Sequence, residues 1–177
     1  MLNTILRTTT LLFIIAFFAG CSSTTSTTPS STQTPHTMLA TVNGASWSSA
    51  TNGPYASAYA TRYGLTSVIL TGIAADSSEI KIVLANPKFG AVGTDSLGAT
   101  TGSYALYSTS GAPDTSTSYL TIPTLNRIYS GSVTITAYDT TNFLISGQFQ
   151  FVGRKAHSTS DGVTVTSGSF YQLQFTI

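Results

Sequence analysis

Residues 131–151, "GSVTITAYDTTNFLISGQFQF", decide the fold of this chain, because they hold two strand patterns separated by one turn. Every second residue of 132–138 and 145–151 belongs to one apolar or glycine face, made of Val133, Ile135, Ala137, Ile145, Gly147, Phe149 and Phe151. A period of two with β-branched and aromatic residues is typical of half-buried strands. Between the two patterns, Asp139 to Asn142 can form an Asx-type turn, so the stretch predicts a β-hairpin.

The same alternation continues to the C-terminus and recurs towards the N-terminus. Residues 163–168 and 171–177 repeat it, and further strands are predicted at 38–42, 55–62, 66–73, 79–85, 102–107 and 118–122. Ser146-Gly147 lies within a strand and predicts a bulge or a relief of crowding. No segment has a helical period. The sequence therefore predicts an all-β fold, a single antiparallel β-sandwich or a barrel-like variant of it, with about 8–10 strands in residues 38–177.

Two stretches are predicted to be loops, and a third contains the basic pair of the chain. Residues 86–101 carry several glycines and few large apolar side chains, and residues 109–118 are polar. Long loops of compact domains are often functional, so each is either a binding loop or a surface connection without a ligand. Arg154 and Lys155 begin a hairpin tip that is either solvated or a contact for an anion or a glycan.

Residues 1–20 have the pattern of a lipoprotein signal peptide. Arg7 precedes the apolar residues 11–19, a run too short to span a bilayer, which needs about 20 residues. Phe18-Ala19-Gly20-Cys21 resembles the bacterial lipobox, with Phe in place of the usual Leu. The resemblance implies diacylglycerol on the Cys21 sulfur, cleavage before Cys21, and acylation of the new amine by a fatty acid such as palmitate. The alternative is an ordinary secretory signal that leaves an unpaired thiol.

Residues 21–37 predict a flexible tether between this anchor and the domain. After Cys21 they hold no aliphatic or aromatic residue whose burial could offset the entropy of ordering. Pro29 and Pro35 favour extended conformations. Two or more acyl chains hold a protein stably on a membrane, so the membrane is the expected partner, through Cys21.

Charge excludes two classes of partner. Charged residues make up 7% of the chain, against about 25% in an average protein. Loss of Arg7 with the signal peptide leaves equal numbers of basic and acidic residues. A neutral surface argues against nucleic acid, which basic patches bind, and against electrostatic docking on anionic lipid.

A domain of about 140 residues also buries enough surface to fold without a disulfide or a metal.

No credible catalytic or metal-binding set is present in the sequence. His36 lies in the tether and His157 in a predicted hairpin loop, and zinc would need three or four ligands. No G-x-S-x-G motif accompanies His157, and a glycosidase needs two carboxylates, whereas Glu79 is the only glutamate. Calcium ligands would come from aspartates without calcium-loop spacing, namely Asp95, Asp139 and Asp161. We therefore expect no enzyme, no cofactor and no metal.

Aromatic residues are the candidates for binding. Tyr55, Tyr59 and Tyr63 recur every four residues, which places them on one face of a strand. They form either an aromatic platform for sugars or peptides, or an edge of the core with phenols that reach water. Trp47 is likewise either a core anchor or an exposed stacking platform.

The order of four segments resembles a known but uncharacterised family. "VNGASW" (42–47), "GSYAL" (102–106), the stretch 131–151 and "VTVTSGSF" (163–170) follow one another as in a family of small Bacteroidota lipoproteins with a domain of unknown function. The resemblance covers most of residues 38–177. It implies a lipid-anchored β-sandwich of unknown function and supplies no catalytic residues.

Two further expectations rest on resemblance to Bacteroidota proteins. Asp95-Ser96-Leu97 and Asp139-Thr140-Thr141 resemble a short O-glycosylation motif, which implies modification at Ser96 or Thr140. In these lipoproteins an acidic stretch after the cysteine accompanies display on the cell surface, whereas Ser and Thr follow Cys21 here. The expected location is the outer membrane, on its periplasmic face or on the cell surface.

Together these features predict a non-enzymatic, lipid-anchored binding or accessory module for a glycan or peptide. One alternative is a structural lipoprotein that interacts with another envelope protein and has no small ligand. A glycan-active hydrolase is a less favoured alternative. The first predicts exposed Tyr or Trp lining a groove, the second an exposed apolar patch, and the third a pocket that holds Asp or Glu with His157.

Overall fold

A computed structural model of the protein describes residues 34–50, 58–63, 66–85, 91–98, 101–110, 116–121, 130–155, 158 and 160–176. All of them lie in the compact unit that spans residues 32–177. These residues contain no helix and form eleven strands: β1 (Thr37–Val42), β2 (Ala45–Ser48), β3 (Ala58–Tyr63), β4 (Ser67–Ile73), β5 (Glu79–Ala85), β6 (Gly93–Leu97), β7 (Tyr104–Ser108), β8 (Ser118–Leu120), β9 (Gly131–Asp139), β10 (Leu144–Lys155) and β11 (Gly162–Thr176). The all-β prediction is confirmed. Within the described ranges no helix has the length and apolar character needed to cross a membrane.

The strands form one sheet that closes on itself. Their order is β2-β1-β11-β3-β4-β5-β7-β8-β10-β9-β6, and β10 also pairs with β11. This extra pairing joins β11-β3-β4-β5-β7-β8-β10 into a ring, from which β1–β2 and β9–β6 extend. All described pairings are antiparallel except one: the C-terminal end of β11 runs parallel to β3. Two halves of the sheet therefore face each other across a single core.

The predicted alternation fixes most of the side chains that enter this core. It is wrong at the end of β9, where a register shift against β10 leaves Ala137 exposed and Tyr138 packed against the core. From β4 and β5, Val68, Leu70, Ile80, Ile82 and Leu84 are at most 1% exposed. The opposite half contributes Val133, Phe149, Phe151, Val163, Val165, Phe170 and Leu173, all at most 4% exposed. The residues between them point outward, so each strand contributes one face to the core and one to the surface.

The turn between β9 and β10 forms as its sequence predicts. The Thr141 and Asn142 backbone N–H groups donate to Asp139 Oδ1 at 2.8 and 2.9 Å, and the Asn142 amide donates to Asp139 Oδ2 at 2.7 Å. These donors stabilise the ionised carboxylate and lower the pKa of Asp139. The Asx turn thus fixes the register of the hairpin.

Two strands escape detection from the sequence. Residues 93–97 fall in the predicted loop 86–101, but they form β6 and pair with β9. The loop prediction is wrong for these residues, because β6 is an edge strand in which only Leu97 is buried, so it shows no apolar alternation. Strand β2 is shorter still, with four residues, of which only Trp47 is buried. Residues 86–90 lie outside the described ranges, as do 111–115 of the second predicted loop.

The two longest strands are joined by a reciprocal exchange of glycine and phenylalanine. Ser146-Gly147-Gln148-Phe149 of β10 lies antiparallel to Ser167-Gly168-Ser169-Phe170 of β11, so that Gly147 faces Phe170 and Phe149 faces Gly168. A Cβ atom on Gly147 would lie 2.5 Å from Phe170 Cζ, and one on Gly168 would lie 2.5 Å from Phe149 Cε2. The two rings are 6.4 Å apart at 26°. Each glycine therefore makes room for the ring of the other strand. The register also shifts at Ser146 and Gly147 against both neighbouring strands, so both predicted roles of this pair, bulge and relief of crowding, are confirmed.

Strand β11 accommodates the glycine–phenylalanine packing through two bulges and remains one strand. Its register shifts against β10 between Phe149 and Phe151 and again between Ile145 and Gly147. At these two places Ser167 and Gln172 adopt positive φ values of 50° and 49°. The predicted strands 163–168 and 171–177 are consequently one continuous strand, bent twice by an extra residue.

Candidate functional site

The outward side chains of six neighbouring strands form a surface that we call the hydroxyl–amide face. They lie in two cross-strand rows that run from β6 through β9, β10, β11 and β1 to β2. One row consists of Thr94, Thr134, Gln148, Ser169, Leu39 and Ser48. The other consists of Ser96, Ser132, Gln150, Thr166, Thr41 and Ser46, with the step from Gln150 to Thr166 at a bulge of β11 rather than a direct pair. None of these residues is charged, and all except Leu39 carry a hydroxyl or an amide group.

A groove lies in this face above the centre of the sheet. It has a volume of about 420 Å³ and lies over β9, β10 and β11. A second groove of about 340 Å³ adjoins it and shares Ser132 and Gln150 with it. The described polar residues that line the first are Ser132, Thr134, Gln148, Gln150, Ser167 and Ser169. Together the two grooves follow β10 from Gln148 to Val152, a length of about 13 Å at the usual rise of a strand.

The Ser-Gly-x-Phe pair places the central residues of the groove. Gln148 pairs directly with Ser169, midway between the two glycine–phenylalanine contacts. Phe149 and Gly168 form the floor, and Phe149 is only 4% exposed. The glycine–phenylalanine contacts beneath the groove therefore fix the backbone positions of Gln148 and Ser169.

Hydrogen-bonding capacity in the groove is only partly used by the protein. Thr134 Oγ1 lies 2.8 Å from Thr94 Oγ1, so these two hydroxyls satisfy each other. Gln148 and Gln150 are exposed, and within the described ranges their side-chain amides have no protein partner. A primary amide offers two donors and one acceptor, so these residues can bind a ligand that presents both.

Trp47 belongs to the core and not to this face. It is 8% exposed, and its indole N–H donates to Ser78 Oγ at 2.8 Å. Ser78 Oγ in turn donates to Asp76 at 2.6 Å, a bond that lowers the pKa of that carboxyl. Of the two alternatives for Trp47, the structure has the core anchor. Its ring also closes over Gly72, where an added Cβ would lie 3.1 Å from Trp47 Cη2.

The tyrosine candidates occupy a different part of the surface. Tyr59 is half-buried and Tyr63 is 61% exposed, and both point away from the core on β3 as their spacing predicts. Tyr55 lies outside the described residues. Strand β3 pairs with Phe175 and Thr176 at the end of β11, whereas the groove is lined by residues 167–169 of that strand, so these rings lie farther along β11 than the groove. The structure therefore does not bring Trp47, Tyr59 and Tyr63 into one site.

The basic pair takes part in closing the ring of strands. Strands β8 and β10 join through two residue pairs, Arg154 with Leu120 and Lys155 with Tyr119. Lys155 Nζ lies 2.9 Å from Asp161 Oδ2 and 5.1 Å from the centre of the Tyr119 ring. The hydrogen bond between Asp161 and Lys155 raises the pKa of the lysine and lowers that of the aspartate. This pair is thus a structural contact at the seam of the ring.

The remaining predicted residues are dispersed. Ser96 is exposed on the hydroxyl–amide face, and Thr140 is exposed in the β9–β10 turn. Cys21 and His157 lie outside the described residues. Glu79 is 4% exposed and pairs with Lys81 at 2.7 Å. Among the described residues, no three His, Cys, Asp or Glu side chains come together as metal ligands would.

The groove residues were missed by sequence reasoning, although a signal for them exists. The apolar halves of the strand patterns predict the core, whereas the polar halves of 132–138 and 145–151 are also unusual. They contain Ser132, Thr134, Gln148 and Gln150 and no charge, where an exposed face usually carries Lys or Glu. Only the pairing of the strands shows that these residues are neighbours.

Comparison with known proteins complements this geometry. No curated protein and no solved structure matches the chain. A family model described as a domain of unknown function matches residues 33–174, which include every described strand except the last residues of β11. The match confirms the predicted resemblance to an uncharacterised family with a domain of unknown function. The chain therefore belongs to the family named Domain of unknown function (DUF6252).

Proposed function

We propose that this protein is a non-enzymatic, lipid-anchored binding module of the cell envelope, and that it binds its ligand on the hydroxyl–amide face. One observation carries the proposal: the groove over β9, β10 and β11 is lined, among the described residues, by uncharged hydroxyl and amide side chains. Such groups bind by hydrogen bonding, and the side-chain amides of Gln148 and Gln150 have no partner among the described residues.

The anchor in this proposal is Cys21. The lipobox-like sequence 18–21 and the polar residues 21–37 support a lipid-modified N-terminus followed by a spacer. The spacer keeps the domain near the outer membrane while leaving it free to reorient. The Bacteroidota lipoprotein pattern of the sequence supports the same location.

Chemistry at the groove favours binding over catalysis. Cleavage of a glycan would need two carboxylates on either side of the bond. The described groove lining supplies hydroxyl and amide groups instead, and its floor is a phenylalanine ring and a glycine. A structural partner would need an exposed apolar patch, and the exposed large apolar side chains among the described residues, Leu39, Tyr63, Val92 and Phe143, lie in different elements.

The test compares two sets of variants of the full chain, purified in detergent. One set changes the groove (Gln148→Ala with Gln150→Ala), and the matched set changes outward-facing aromatic residues elsewhere (Tyr59→Ala with Tyr63→Ala). Each protein is applied to a glycan array and to a library of envelope proteins. We expect a ligand whose binding is lost in the groove variant and kept in the tyrosine variant. Binding that depends on the tyrosines alone, or on neither set, would contradict the proposed surface.

A further inference from the structure

We infer that the ligand of the groove is a single chain of an uncharged polysaccharide, lying along β10. This inference rests on the proposed function and names the class of ligand. It follows from the charge of the face, from the kind of groups it presents, and from the twist of the sheet.

The absence of charge sets the first condition on the ligand. The residues of both rows are neutral, and so are the described residues that line the two grooves. An ionic ligand would lose hydration here without gaining a counter-charge, which is unfavourable. The ligand is therefore neutral.

The groups presented set the second condition. Ser and Thr hydroxyls both donate and accept, and a Gln amide carries two donors beside its acceptor. A matching ligand must offer donors and acceptors at short intervals, as the hydroxyl groups of sugars do. An extended peptide would instead use its backbone groups, which pair best with the open edge of a sheet. The groove lies over β9, β10 and β11, away from the edges at β6 and β2.

The twist of the sheet decides between a single chain and a planar surface. Neighbouring strands rotate by roughly 20–25°, so the face turns by roughly 100° over the five steps from β6 to β2. A flat surface, such as crystalline polysaccharide or ice, would touch only a few of these strands at once. A flexible chain can follow the groove along β10, where the lining residues are continuous from Gln148 to Val152.

The experiment measures binding of the full chain to defined sugars by calorimetry and by retardation in gels that contain polysaccharide. The probes are cello-, malto-, xylo- and manno-oligosaccharides of increasing length, polygalacturonate as the anionic probe, and microcrystalline cellulose as the planar one. The variants are Gln148→Ala with Gln150→Ala, the nearly isosteric Gln148→Glu, and Tyr63→Ala as the control. Fluorescence of Trp47, which is buried below the sheet, reports whether each variant is folded.

We expect at least one neutral oligosaccharide to bind, with affinity rising as the chain lengthens until it fills the groove. The double alanine variant should bind at least about tenfold more weakly, and Tyr63→Ala should bind as the unchanged protein does. Gln148→Glu should also weaken binding, since it places a charge beside a ligand that cannot compensate it.

Three other outcomes would overturn the inference and would separate it from the proposed function. Binding to microcrystalline cellulose or polygalacturonate alone, if lost in the groove variants, would refute a single neutral chain but keep the groove as a binding surface. Capture of a protein through the groove would do the same. If no probe of any class depends on Gln148 or Gln150, both the inference and the proposed function fail.

Discussion

Replacement of Gly168 by alanine should place a methyl group against both the ring and the backbone of Phe149. The new Cβ would lie 2.5 Å from Phe149 Cε2 and 2.6 Å from the Phe149 carbonyl oxygen. Favourable contacts between such atoms lie near 3.5–4.0 Å, so the overlap is about 1 Å on two sides. The ring can tilt, but the oxygen belongs to a paired strand and cannot move away without loss of hydrogen bonds.

The expected cost follows from these contacts. Overpacking of this kind costs about 1–3 kcal/mol, and a clash with backbone favours the upper end of that range. The φ angle of Gly168 is not in the left-handed region, so alanine gains about 0.4–1 kcal/mol by restricting the unfolded chain. The net loss should be about 2 kcal/mol, which lowers the melting temperature of a domain of this size by roughly 6 °C.

The assay is urea unfolding followed by the fluorescence of Trp47, the single tryptophan of the chain. A double-mutant cycle with Phe149→Leu isolates the ring, since removal of the ring should make Gly168→Ala less costly by about 1 kcal/mol. Gly72→Ala is the comparison variant: its Cβ would lie 2.9 and 3.0 Å from Met38 atoms and 3.1 Å from Trp47 Cη2. These are side-chain atoms at longer distances, so this variant should cost less than Gly168→Ala. If Gly168→Ala costs no more than Gly72→Ala, or if its cost is unchanged by Phe149→Leu, the reciprocal packing is not what stabilises this strand pair.

Three further predictions follow from the turn, the core and the anchor. The pKa of Asp139 is lowered in the folded protein. The stability that its carboxylate contributes is therefore complete above the pKa of the unfolded chain, about 3.9, and is lost as pH falls through the folded pKa. The urea midpoint of Asp139→Ala should consequently vary less with pH over this acidic range than that of the unchanged protein. Ser78→Ala should cost about 1–3 kcal/mol by leaving the Trp47 N–H without its acceptor, with Ser77→Ala as the exposed control in the same denaturation experiment. Cys21→Ser should abolish incorporation of labelled palmitate and move the protein out of the membrane fraction; an unchanged distribution would refute the anchor.

Local features of the fold are readable from the sequence, because neighbouring residues determine them. The β9–β10 hairpin depends on two alternating segments and on the Asp139 turn, which are contiguous in the chain. Strand β5 was predicted with its observed bounds, residues 79–85, since flanking turns mark both ends.

Features that depend on distant partners are not readable in this way. Strand β6 exists because β9 supplies its hydrogen bonds, and the parallel pairing of β3 with β11 depends on how the C-terminus returns. The groove likewise depends on residues that are distant in sequence. Gln148 and Ser169 are more than twenty positions apart, and only the antiparallel register of β10 and β11 makes them neighbours.

The paired Ser-Gly-x-Phe segments separate two properties that most surfaces combine. Their inward residues, Gly147 and Phe149 with Gly168 and Phe170, determine how the strands pack, while Gln148 and Ser169 between them face outward. A substitution at an outward position changes the chemistry of the groove and leaves the packing beneath it untouched. If the face binds a ligand as proposed, ligand preference can diversify one outward residue at a time on an unaltered core, which makes this face a convenient starting point for engineering new specificities.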